Sequence, residues 1–172
     1  MITVMAVPNI FSAVSNIRLR SSASSFGSLL QNARMQAVRD DRSYTVRSTQ
    51  LAGSNVSVAY IDLNGNSSLD AGEPLVQFGG SARLVTSGNP STSTLSLGFT
   101  PQAATVLPSF NARGTPCAAS GTACNTYVGS SAVGFLYFLS DQRPVGGPTW
   151  AAISVSPGGR IRVWTWNGVA WR

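Results

Sequence analysis

The strongest constraint in this sequence is a single change of hydrophobic period near Asp41. Between Asn9 and Asp41 apolar residues recur at helical spacing, whereas after Asp41 they alternate along short runs separated by Gly, Pro, Asn and Ser. Helical spacing is typical of an amphipathic helix, and alternation is typical of a half-buried strand. One helix followed by many strands predicts an α+β fold, with a long N-terminal helix packed on an antiparallel β-sheet or β-sandwich.

Residues 1–172 are predicted to form a single domain, which is large enough for a hydrophobic core. Residues 1–41 would comprise a short apolar stem remnant and the helix, and residues 42–172 a β-rich globular head. The predicted strands are Tyr44–Arg47, Val56–Ile61, Leu75–Phe78, Arg83–Thr86, Thr94–Phe99, Ala132–Leu139, Trp150–Val155, Arg160–Trp166 and Val169–Trp171.

The predicted helix carries apolar residues on two opposite faces. The first set, the N-terminal stripe, is Ile10, Val14 and Ile17, and the second set, the core stripe, is Leu19, Ala23, Phe26, Leu30, Ala33 and Ala37. Since each residue turns the helix by about 100°, Leu19 lies about 180° from Ile10. A helix with one partner needs one apolar face. We therefore predict that the core stripe packs on the sheet and that neighbouring subunits or lipid bury the N-terminal stripe. The alternative is an N-terminal segment that folds back onto its own domain.

The composition excludes several kinds of catalytic site. The chain has no His and no Lys, and it carries twelve Arg against six acidic residues. Without histidine, Ser-His and Cys-His catalysis and most zinc sites are excluded, and no two acidic residues are spaced as a general acid and base. We therefore predict that the protein is not an enzyme. The planar fork of Arg suits an acidic partner, although codon usage is an alternative reason for the bias.

Cys117 and Cys124 lie in a loop of small residues with no other sulfur or imidazole nearby. A metal site would need more ligands. The pair therefore predicts a short disulfide formed in an oxidising compartment, and the alternative is two free thiols.

The C-terminal segment GRIRVWTW predicts a strand with two unlike faces. Alternation places Arg160, Arg162, Trp164 and Trp166 on one face, opposite Ile161 and Val163. Arginine forks bind phosphates and indole rings stack on bases, so the first face is suited to nucleic acid. The alternative is that the tryptophans cover the edge of the core and the arginines are solvated.

The dipeptide Asn167-Gly168 predicts a two-residue hairpin turn after this strand. In that register Trp166 would pair with Val169, and Trp164 would lie opposite Trp171.

An acidic segment between two predicted strands has the spacing of a calcium-binding loop. Its oxygen-bearing side chains at positions 1, 3, 5, 9 and 12 are Asp62, Asn64, Asn66, Asp70 and Glu73. Ser67 stands at the sixth position, where glycine is usual, and strands rather than helices flank the loop. We therefore predict a hairpin turn rich in Asn, Asp and Gly with no metal or cofactor. Calcium at these five residues, in a calcium-stabilised adhesive tip, is the alternative.

The helix and the first strand resemble those of type IV pilin-like proteins of the GspH/FimT group. In that group an apolar stem ending in AxPN leads into a helix with the pattern LxxARxxAxxxxR. The matching residues here are Leu30, Ala33, Arg34, Ala37 and Arg42. The segments YIDLNGNSSLDAGEPL, LGFTPQA and AISVSPGGRIRVW are also similar, so that the resemblance extends from about Ala6 to Trp171.

The resemblance implies a type IV pilin-like fold in which a stalk helix packs on a β-sandwich. It also implies an inner-membrane anchor, of which ITVMAVP resembles the last part, and a head in the periplasm or on the pilus. Other pilins or pseudopilins would bind through the N-terminal helix. The expected function is that of a minor pilin near the tip of a type IV pilus. The alternative is a GspH-like minor pseudopilin of a type II secretion system that binds no nucleic acid.

FimT-like minor pilins of competent bacteria carry a GRxR motif that is implicated in DNA binding, and Gly159-Arg160-Ile161-Arg162 matches it. The resemblance therefore implies DNA as a partner, bound for uptake in natural transformation. Arg160 and Arg162 would hold phosphates, and Trp164 and Trp166 would offer stacking surfaces. The alternative is that an ordinary closing strand happens to have this spacing.

Overall fold

The computed structural model describes residues 7–120, 123–141 and 149–172, with side chains from residue 13 onward except that of Ser120. In these ranges helix α1 (Val7–Arg39) is followed by twelve strands. The strands are β1 Tyr44–Gln50, β2 Ser57–Asp62, β3 Leu75–Gln77, β4 Ala82–Val85, β5 Ser109–Phe110, β6 Pro116–Ser120, β7 Ala123–Asn125, β8 Tyr127–Val128, β9 Ser131–Ala132, β10 Phe135–Asp141, β11 Thr149–Val155 and β12 Ile161–Thr165.

The strands form two main antiparallel sheets. The first sheet has the order β3-β2-β1-β5-β6-β7, and the second has the order β12-β11-β10-β4. Strands β8 and β9 form a separate small hairpin. Helix α1 contacts strands of both sheets. The predicted α+β architecture, one long N-terminal helix packed on antiparallel sheets, is therefore confirmed.

The core stripe of α1 is buried as predicted: none of its six side chains is more than 2% exposed. It packs in one hydrophobic core with Val46 and Ile61 of the first sheet and Phe135 and Ile153 of the second. The ring of Phe26 meets the rings of Phe78 and Tyr137 edge to face, at centroid distances of 6.0 and 6.3 Å. The helix thus joins the two sheets into a single core.

The N-terminal stripe is not part of this core. The side chain of Ile17 is 67% exposed, Val14 is half-buried, and the side chain of Ile10 lies outside the described residues. For Ile17 the fold-back alternative is therefore wrong, because this residue points away from the sheets. Within the described part of the chain, no helix is both long and apolar enough to cross a membrane.

The predicted strand Thr94–Phe99 is wrong. These residues form local turns, in which the N–H of Leu95 donates to Thr92 O and that of Leu97 donates to Leu95 O. Their apolar side chains pack without pairing as a strand: Leu95 is buried against the second sheet. The alternation of apolar residues in 94–99 therefore reflects packing onto the outer face of the second sheet.

The predicted register of the C-terminal hairpin is also wrong. Trp166 pairs with Trp171 in an isolated bridge, and the turn spans four residues, 167–170, instead of two. Asn167 sets this geometry, because its Oδ1 accepts hydrogen bonds from the N–H groups of Val169 and Ala170. Val169 is left 81% exposed, so it has no cross-strand partner and the predicted short strand does not form.

Candidate functional site

Strand β12 lies at the edge of the second sheet and presents two unlike faces. Ile161 packs against the main core, and both Ile161 and Val163 lie beside Gly27 of α1. Arg160 and Arg162 are exposed, and with Trp164 they line an open groove on the other face. We call Arg160, Arg162 and Trp164 the arginine face. The predicted division of the strand into an aliphatic and an arginine-bearing face is therefore present in the structure.

The turn between β11 and β12 fixes where the arginine face begins. The N–H of Gly159 donates to Ser156 O at 2.7 Å, and that of Ser156 donates to Arg160 O at 2.9 Å. The N–H of Arg160 also donates to Ser156 Oγ at 3.1 Å. Gly159 has a φ of 78°, which is a left-handed conformation that favours glycine. The glycine of the GRxR pattern is thus a requirement of the turn.

The groove beside the arginine face has a volume of about 220 Å³. Its other walls are formed by residues of the 96–99 turns and of β11. The lining residues besides the arginine face are Ser96, Leu97, Phe99, Ser154 and Ser156. The position of Phe99 in this site was not predicted, because the predicted strand Thr94–Phe99 had no partner assigned to it.

The side chains of Trp164 and Trp166 contact other residues of the protein. Trp164 is half-buried, its Nε1 donates to Ser154 Oγ at 3.0 Å, and the Arg162 guanidinium lies 5.7 Å from the centroid of its ring. Trp166 packs against Trp171 at a centroid distance of 5.3 Å. Both belong to a second hydrophobic cluster on the outer face of the second sheet. This arrangement matches the alternative in which the indoles cover a core.

The guanidinium groups of Arg160 and Arg162 form no hydrogen bond or ion pair with the residues that the structure describes, apart from the ring contact of Arg162. The surrounding sequence is also poor in acid. Residues 74–172 contain six Arg and one acidic residue, Asp141, whereas residues 1–73 contain six Arg and five acidic residues. Asp141 is buried. Unpaired Arg in an acid-poor region creates a local positive potential.

The acidic loop, residues 62–73, uses its oxygen atoms internally. Asp62 is buried, and its carboxylate accepts hydrogen bonds from Arg47 Nε at 2.7 Å, Gly65 N at 2.7 Å and Ser67 N at 3.1 Å. Glu73 accepts from Leu63 N at 2.9 Å and from Asp70 N at 3.1 Å.

In the middle of the acidic loop the carboxylate of Asp70 also accepts hydrogen bonds from within the loop. Asn64 and Asn66 donate to Asp70 Oδ2 at 2.7 and 2.6 Å. These two hydrogen bonds, that of Asn64 first, lower the pKa of the Asp70 carboxyl. Ser67 has a φ of 68°, the conformation that glycine usually supplies at this position. In the described ranges no three His, Cys, Asp or Glu residues are grouped so that they could hold a metal ion. The absence of a metal stays a prediction, and calcium at these five residues stays its untested alternative.

The disulfide joins Cys117 of β6 to Cys124 of β7, with the two Cα atoms 5.2 Å apart. The pair lies at the far edge of the first sheet, in the order given above, and β12 lies at an edge of the second sheet. The disulfide therefore holds a peripheral hairpin and takes no part in the groove beside the arginine face.

Besides Phe99, one helix residue contacts the turn before the arginine face without having been predicted to do so. Arg34 of α1 donates from Nη1 to Gly159 O at 3.1 Å. The only sequence signal for it was its place in the LxxARxxAxxxxR pattern, which says nothing about which loop the side chain would reach.

Comparison with known proteins gives one match. The model of the family described as type II transport protein GspH matches residues 22–159. This range covers about four fifths of the chain and ends one residue before Arg160. Neither the curated proteins nor the solved structures gave a match.

Proposed function

The chain belongs to the GspH family, and from this premise we propose that it is a minor pilin of a type IV pilus whose arginine face binds DNA for uptake. The family is one of pilin-like structural subunits, not of enzymes, and its members assemble with other pilins or pseudopilins. We propose that the protein is a membrane-anchored subunit. Its two sheets form a head that faces the periplasm, or the exterior in the pilus.

One observation carries the proposal: two exposed arginines, Arg160 immediately before edge strand β12 and Arg162 within it, have no acidic partner among the described residues. Arg47, by contrast, is paired with Asp62. Unpaired guanidinium groups are available to phosphates, and each neutralised phosphate releases condensed counterions. The sequence from residue 74 onward has six Arg and one acidic residue, so its net charge has the sign that favours DNA.

The contacts of the tryptophans sharpen this proposal. Because Arg162 lies over the ring of Trp164, that indole supports an arginine and its covered face is closed to bases. Trp166 is packed against Trp171. We therefore propose that Arg160 and Arg162 bind the DNA backbone, and that the tryptophans hold the groove in shape.

The test is a titration of a short DNA duplex at several salt concentrations. We expect Arg160→Gln/Arg162→Gln to weaken binding and to reduce the slope of log affinity against log salt by about 1.8, since each phosphate contact contributes about 0.9. Arg18→Gln/Arg42→Gln is the matched control, because it removes the same charge from two exposed positions on or just after α1. Equal slopes for the two double variants would remove the site.

A second candidate is a minor pseudopilin of a type II secretion system that binds no nucleic acid. The observation that favours it is the family match, which is to a type II transport protein and stops before the arginine face. This function needs the exposed side of α1 and not β12. Ile17→Asp should then abolish binding to partner pseudopilins in a pull-down while leaving the melting temperature of the protein unchanged, and the wild-type protein should show no salt-dependent affinity for DNA.

A further inference from the structure

Arg34 lies between two glycine turns that belong to different sheets. Its Nη1 donates to Gly159 O in the turn between β11 and β12. A Cβ placed on Gly159 would lie 3.0 Å from Arg34 Cζ and 3.1 Å from its Nε. A Cβ on Gly114, in the turn between β5 and β6, would lie 3.2 Å from the same Nε. Both glycines have left-handed φ values, 78° and 70°. The guanidinium is thus enclosed by two turns that leave room for no side chain.

The helix and the edge strand lie side by side along their whole shared length. Arg34 reaches Gly159, Gly27 lies against Ile161 and Val163, and Arg20 Nη2 donates to Thr165 Oγ1 at 3.5 Å. This order shows that α1 and β12 run in opposite directions. The rise along the helix from Arg20 to Arg34 is about 21 Å, and the extended chain from Gly159 to Thr165 covers about 20 Å. The helix segment 20–34 therefore matches the chain segment 159–165 in length, and a helix arginine contacts each end of that chain segment.

We propose that Arg34 is a positioning residue for the arginine face: its hydrogen bond to Gly159 O holds the turn that directs Arg160 and Arg162 into the groove. The inference rests on the proposed function only where DNA is concerned. The carbonyl that Arg34 binds belongs to the residue immediately before Arg160. No described carboxylate pairs with Arg34, so its contact to this carbonyl is not a by-product of an ion pair. Removing the donor frees the turn, and the direction of Arg160 is lost.

The first measurement does not involve DNA. In Arg34→Met, which keeps the apolar stem and removes the donors, amide hydrogen exchange at Ser156, Gly159 and Arg160 should accelerate about tenfold, the effect of losing one hydrogen bond to a charged group. Amides that pair β10 with β11 should be unchanged. Arg34→Lys keeps the positive charge and can still donate to Gly159 O from its ammonium group, so it should restore most of the protection. Unchanged exchange at the turn in folded Arg34→Met overturns the proposal.

A pair of adjacent glycines supplies the matched control. Gly159→Ala places a methyl group 3.0 Å from Arg34 Cζ and strains a left-handed residue, whereas a Cβ on Gly158 would meet nothing within 4 Å. Gly159→Ala should therefore reproduce the faster exchange of Arg34→Met, and Gly158→Ala should not. This pair keeps the proposal falsifiable even where Arg34→Met fails to fold. The same exchange rates in both glycine variants would overturn it.

The second measurement is the DNA titration, with Arg42→Gln, three residues beyond the end of α1, as the charge control. A positioning role predicts that Arg34→Met weakens binding several-fold, that Arg34→Lys binds as wild type, and that Arg42→Gln has little effect. If Arg34→Met lowers the salt slope while the exchange rates stay normal, Arg34 contacts phosphate directly and the positioning role is overturned. A wild-type protein with no affinity for DNA overturns the proposed function alone, because the exchange rates still decide the role of Arg34.

Discussion

The arginine face and the acidic loop are both charged motifs that the sequence marks as candidate ligand sites, yet they differ in what their charges do. In the acidic loop the carboxylates of Asp62 and Glu73 are buried and bonded to backbone N–H groups, and Asp62 also pairs with Arg47. On the arginine face the guanidinium groups of Arg160 and Arg162 are exposed and have no acidic partner in the described part of the chain. A charged motif is therefore available to a ligand only where the fold leaves its charges unpaired.

The largest effect expected from this comparison is on stability. Asp62→Ala should lower the free energy of unfolding by about 3 kcal/mol, because it leaves Arg47 and two loop N–H groups without their acceptor. Arg160→Gln should change the same quantity by less than about 0.5 kcal/mol, as is usual for an exposed side chain. Urea denaturation of both variants measures the difference. Similar losses of unfolding free energy in the two variants would mean that Asp62 and Arg160 stabilise the fold to the same degree. That result would contradict the difference described between the two regions.

A smaller effect is expected in the titration of Asp70. Hydrogen bonds from Asn64 and Asn66 lower the pKa of the Asp70 carboxyl in the folded protein. The contribution of this carboxylate to stability is therefore present above its unfolded pKa. That contribution is lost as the pH falls below about 4 through the folded pKa. The side-chain carboxyl shift, followed by NMR from pH 6 downward, should titrate below the ordinary range for Asp. The variant Asn64→Ala/Asn66→Ala should return the midpoint to that range. An unshifted midpoint in the wild-type protein would contradict the internal use of these donors.

The smallest effect is expected from calcium. Since the oxygens of the acidic loop already accept hydrogen bonds from the loop itself and from Arg47, calcium at about 5 mM, above the usual Kd of extracellular calcium modules, should leave the melting temperature unchanged within about 1 °C. A rise in the melting temperature that disappears in Asp62→Asn would instead show that the loop exchanges these bonds for a cation. In that case both regions would be ligand sites.

Much of the fold could be predicted from the chain because the signals are local. The core stripe of α1 is buried as its spacing predicted, and the Ile161 and Val163 side of β12 faces the helix. The prediction of a strand at Thr94–Phe99 was wrong because alternation indicates only which side chains are buried. Loop residues can also bury alternate side chains by packing on a sheet. The prediction of a two-residue turn at Asn167 was wrong because the side chain of Asn167 accepts hydrogen bonds from the N–H groups of Val169 and Ala170. These bonds stabilise a longer turn.

The order of residues along the chain is enough to give the class of fold, the face of the helix that enters the core and the alternation that gives β12 its arginine-bearing side. These properties follow from spacing along the chain, and spacing is unchanged by folding. The tertiary structure decided which charges find partners, because a partner is a residue from another segment. Arg47 meets Asp62 across β1 and β2, Arg34 meets the turn before Arg160, and the Arg162 guanidinium lies over the ring of Trp164 with no acidic partner among the described residues.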